Sequence, residues 1–65
     1  MNEYFIVSTE SFLHNVQLRM RKEIHKGDYL DFGNLERYLV RKVVHNFLEN
    51  GSFTATHLHV DREPI

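Results

Sequence analysis

The chain has 65 residues, 42% of them apolar and 12% aromatic, with a formal net charge of −1 and no cysteine. That length is one domain at most, and the lack of cysteine excludes disulfides and thiolate metal sites. The apolar share excludes a disordered tail, and the near-neutral charge lacks the basic footprint of a dedicated nucleic-acid binder.

A chain this short buries only roughly 60% of the surface its unfolded form exposes, so a further staple, a metal or a partner chain, is expected. The charge is unevenly spread. Seven of the eight basic residues and four of the nine acids lie in residues 19–42, so this window carries +3 and the two ends together −4. No apolar run approaches the roughly 20 residues that span a bilayer, and MNEYFIVSTE lacks the charged start and long apolar stretch of a leader. A soluble cytoplasmic protein with no membrane partner is therefore expected.

Residues 2–8, NEYFIVS, predict a strand rich in strand formers, apolar on both faces and so either covered on both sides or paired with another chain. Ser8, Thr9 and Glu10 carry helix-capping chemistry. A first helix is predicted over residues 10–26, with Leu13, Val16, Met20 and Ile24 on one apolar stripe and Phe12 beside it. Asn15, Arg19, Lys22 and Lys26 form the wet stripe opposite. Leu18 does not fit this pattern, since it projects between His14, Arg21 and His25. Lys26 and Gly27 suit a helix end. Residues 28–33, DYLDFG, are too apolar for a loose linker, and Asn34 can cap a second helix over residues 35–49.

The apolar face of that helix, Leu35, Leu39, Val40, Val43, Val44, Phe47 and Leu48, covers an arc of about 200° at 3.6 residues per turn. A surface helix needs about half that width. One flank is expected against the first helix and the other against the sheet or a second subunit. Asn50 and Gly51 end the helix, because both tolerate a left-handed conformation. Residues 52–60, SFTATHLHV, alternate as a strand, and residues 61–65 form a polar tail expected to fray. The expectation is an α+β fold: one β-α-α-β domain over 1–65, two helices on a short antiparallel sheet completed by homodimerisation, because two strands alone make a poor sheet.

Chemistry is thin in this pattern. His57 and His59 share one strand face and are weak metal candidates, because zinc sites generally take at least three protein ligands. The glycines, Gly27, Gly33 and Gly51, sit at structural boundaries rather than in a phosphate loop. The carboxylates are scattered, and a domain this small has little room for a pocket of about 300 Å³. Neither an enzyme nor a cofactor is expected.

From Tyr4 to Asn50 the order of features resembles the ribbon-helix-helix family of DNA-binding repressors and antitoxins. The order is a short strand, the polar cap "STES", an amphipathic stretch, the connection "KGDYLDFGN" and the apolar stretch "LERYLVRKVVHNFLEN". The resemblance implies paired strands in the major groove and Asn34 as a phosphate anchor at a helix start. Arg19, Lys22, Lys26 and Arg37 are its further nucleic-acid candidates. Against it, the first strand carries no Arg, Lys or Gln to read base edges, and the C-terminal strand is extra and able to pair with the first. The reading that takes precedence is a non-enzymatic regulatory or interaction module that binds and modulates a larger protein, of the kind a phage or mobile element would carry. Its candidate surface is His14, Leu18, Arg21 and His25, since arginine is favoured at interfaces and a leucine beside it can anchor a contact.

Overall fold

The computed structural model describes residues 1–33 and 36–64, without the side chain of Pro64. The described residues contain five strands and no helix. These are β1 (Asn2–Val7), β2 (Gln17–Met20), β3 (Tyr29–Asp31), β4 (Glu36–Phe47) and β5 (Phe53–Pro64). They form one curled sheet in the order β2-β1-β5-β4-β3. β1 runs parallel to β5, and the other neighbours are antiparallel. The two predicted strands are present as β1 and β5, and they are adjacent. The expected helices are absent, so the α+β, β-α-α-β architecture is replaced by an all-β mixed sheet.

The core lies on the concave face. Tyr4 and Ile6 of β1, Tyr38 and Val40 of β4, and Leu58 and Val60 of β5 are buried there. Register brings Ile6 beside Leu58, Leu58 beside Val43, and Val40 beside Val60. Each such aliphatic side chain contributes roughly 1.5–3 kcal/mol by leaving water. Strands β2 and β3 are the two sheet edges, so the chain joining them must pass from one edge to the other. It buries Ile24 on the way, and the Ile24 N–H donates to the Tyr4 hydroxyl at 3.0 Å. It then joins β4, where Gly27 N donates to Val40 O and Val40 N to Asp28 O, both at 2.9 Å.

Each predicted helix gives way for an identifiable reason. Within residues 10–26, a single turn forms where Leu13 N and His14 N both donate to Glu10 O. Asn15 then takes a φ of 68°, which a right-handed helix does not tolerate. Its N–H donates to Ile6 O at 2.8 Å, tying the turn to β1. The sequence QLRM that follows alternates exposed and half-buried as β2. Leu18, the misfit on a helix, therefore fits a strand, with Leu18 and Met20 both packed against the core. In β4 the run "ERYLVRKVVHNF" is rich in β-branched and aromatic residues, which favour a pleated surface. An apolar arc of about 200° on a helix is equally an apolar residue on each face of a strand.

Asn50 and Gly51 do reverse the chain, but in a hairpin. Gly51 N donates to Leu48 O at 2.9 Å, and Leu48 N to Ser52 O at 2.8 Å. Gly51 has a φ of 87°, the left-handed residue that closes a three-residue hairpin loop. The Asn50 side chain accepts from Ser52 N at 2.9 Å. Residues 61–64, expected to fray, continue β5 in register with residues 36–39 of β4.

Candidate functional site

The residues singled out in the sequence are dispersed by this sheet. Leu18 lies opposite Tyr4 in register and packs inward. His14 is exposed in the turn, where its Nδ1 accepts from Ser8 N at 3.4 Å. Arg21 follows β2, and its carbonyl accepts from the Asn2 side chain at 3.2 Å. His25 is exposed in the edge-to-edge connection, 3.7 Å from Glu23. These four share no helical face. The nucleic-acid candidates are equally spread. Arg19 pairs with Glu3 at 3.1 Å across β2 and β1, and Arg37 lies 5.2 Å over the Tyr29 ring at the other end of the sheet order. Lys22 and Lys26 are exposed. Asn34 lies outside the described residues. The described parts of the two stretches read as helices in the ribbon-helix-helix resemblance are strand and turn here.

The set expected as one dimer face is divided by β4. Val40 and Val43 face the core. Leu39 and Val44 sit at register positions opposite Asp61 and His57, on the convex face, and are half-buried. Phe47 and Leu48 are exposed at the hairpin end. Leu35 lies outside the described residues. His57 and His59 do share a face, the convex one, beside Phe5 and Val7 of β1. The His57 ring sits 5.9 Å from that of Phe5, and Asn46 Nδ2 donates to His57 Nδ1 at 2.7 Å. Among the described residues, no group of three His, Asp or Glu side chains is placed to hold a metal ion.

Sequence reasoning missed the far end of the β4–β5 hairpin. β1 reaches β5 only at residues 57–59, and β3 reaches β4 only at residues 37–39. Residues 45–47 and 53–56 therefore pair only with each other, as a two-stranded arm. The molecule measures 42 × 24 × 18 Å, with a radius of gyration of 12.2 Å, against roughly 11 Å for a compact chain of this length. The arm ends in Phe47, Leu48 and Phe53, which are 59%, 56% and 56% exposed. The two phenyl rings meet edge to face at 5.6 Å and 71°. Such a cross-strand pair contributes roughly 0.5–1.5 kcal/mol, yet it leaves more than half of each ring in water. Read as strand, FLENGSF was the signal: a turn dipeptide with an aromatic on either side.

A cleft of about 410 Å³ opens at the same end, between the start of β1, residues 23–26 and the concave side of the arm at Val43, His45 and Thr56. The curl of the sheet creates it, and it exceeds what was expected of a domain with little room for a pocket of about 300 Å³. His45 Nδ1 and the buried Thr56 Oγ1 share a hydrogen bond of 2.9 Å. No carboxylate hydrogen-bonds to the His45 ring among the described residues, so nothing there orients a base toward a nucleophile in the way acyl transfer requires. Among the described residues, no helix is long and apolar enough to cross a membrane.

No family model, curated protein or solved structure matches this chain.

Proposed function

We propose that this chain is a non-enzymatic, cytoplasmic interaction module that binds and modulates a larger protein through the end of its β4–β5 arm. The observation that carries this reading is the cluster of Phe47, Leu48 and Phe53, exposed together at the turn end of a hairpin whose last residues pair only with each other. Aromatic and aliphatic side chains grouped in water are costly to keep there unless a partner covers them, and aromatics are among the side chains that dominate interface energetics. A homodimer belongs to the same proposal. Phe5, Val7, Leu39 and Val44 leave the convex face half-covered, and a second copy would complete the cover.

The test uses the intact chain on beads with a Leu48→Glu variant, which keeps the Phe47–Phe53 pair and places a charge at the tip. Proteins retained by the wild type and lost by the variant support the reading. Identical retention by both overturns the assignment of the tip. Retardation of duplex DNA that weakens with added salt would replace the reading with nucleic-acid binding.

A further inference from the structure

The convex face carries a second feature, independent of the tip, in the middle of β4. The β4–β5 register slips between Val40 and Lys42, so Arg41 is an extra residue in the ladder. Val40 and Val43 both face the core, and two residues stand between them where strict alternation allows one. Arg41 and Lys42 are both exposed. Arg41 Nε donates to Asp61 Oδ2 at 2.7 Å, and Lys42 sits opposite His59. The bulge thus turns two successive cations to one face. Bulges are retained where they re-aim a side chain.

These cations line a basin of about 460 Å³ that also includes Ser8 and Thr9, where the chain leaves β1, His59 of β5, and the Asp61 carboxylate that pairs with Arg41. The Ser8 Oγ accepts from Glu10 N at 3.0 Å, which leaves its own hydrogen free to donate. The side chains of Lys42, His59 and Thr9 make no hydrogen bond or ion pair among the described residues. Asp61 engages one edge of the Arg41 guanidinium through Nε, and the other edge keeps its donors. We propose that this basin binds a phosphate monoester, with Lys42 and Arg41 supplying charge and His59, Ser8 and Thr9 supplying hydrogen bonds. A phosphate is the favoured anion because the wall offers donors from several directions, and its oxygens accept charge-assisted bonds from such groups. The volume leaves room for the organic part of a small phosphate ester.

Titration of the intact chain with inorganic phosphate, followed by amide NMR in 150 mM chloride, tests this. The expected result is a saturable shift confined to residues around Ser8, Lys42 and His59, weakened about tenfold by Lys42→Gln and similarly by Arg41→Gln. Lys22→Gln, a cation outside the basin, should leave it unchanged. Both bulge positions are exposed, and the amide spectrum of each variant reports whether the fold persists. Loss of the shift in chloride, equal weakening by Lys22→Gln, or wild-type binding by both bulge variants would overturn the site. Glycerol 3-phosphate and vesicles carrying phosphatidic acid then separate a free ester from a lipid-borne one, since both present the same monoester group.

Discussion

At the scale of single residues, the buried contacts are few and each carries weight. The Tyr4 hydroxyl is the partner of the Ile24 N–H at a buried position. Tyr4→Phe keeps the ring but leaves that donor unsatisfied, which costs about 1–3 kcal/mol; a lower urea midpoint at unchanged slope would show it. Leu58 lies between Ile6 and Val43 in register and is fully buried. Leu58→Ala is expected to cost about 2–5 kcal/mol, a large part of the stability of so small a domain, and circular dichroism at 25 °C should show a partly unfolded population. The exposed ion pairs, Arg19–Glu3 and Arg41–Asp61 among them, join the basic middle of the chain to its acidic ends. Being exposed, each contributes at most about 1 kcal/mol.

At the scale of elements, β5 is the organiser, since it alone contacts both β1 and β4. The amides of residues 57–60 lie where the sheet is widest and are expected to exchange slowest in hydrogen-exchange NMR. Those of the arm beyond Val44 should exchange orders of magnitude faster, because no third strand supports them. Uniform protection along β4 would contradict this. The turn that builds the arm depends on the φ of 87° at Gly51. Gly51→Ala meets no steric neighbour, so its cost, about 1 kcal/mol, comes from the backbone conformation alone, and a drop of several degrees in Tm measures it.

At the scale of the whole molecule, the arm and the half-covered convex face are what a partner would meet. A Phe47→Ser, Phe53→Ser pair removes the exposed rings and their mutual contact while leaving the buried core residues in place, so the core spectrum should persist while partner retention falls. Light scattering at micromolar concentration should report twice the 7.8 kDa of one chain; a particle of single-chain mass with a cooperative melt would remove the homodimer from the proposal.

The sequence alone determined two of the five strands and the turn between β4 and β5. Strands β1 and β5 were legible from their strand formers and alternation, and the turn at Asn50 and Gly51 from its chemistry. Leu13, Val16, Met20 and Ile24, read as one helical stripe, do pack on the core, though through a turn, a strand and a loop. The candidate site was barely legible. His57 and His59 were placed correctly on one face, but the arm and the bulge depend on where pairing stops and slips, which no local pattern encodes. Tertiary structure decided the conformation of residues 10–26 and most of 35–49. A run with apolar residues all round satisfies a helix or a two-faced strand equally well by periodicity. The choice falls to distant backbone partners: β5 and the segment before and through β3 supply the hydrogen bonds along β4, and those donors and acceptors come within reach only once the chain has folded.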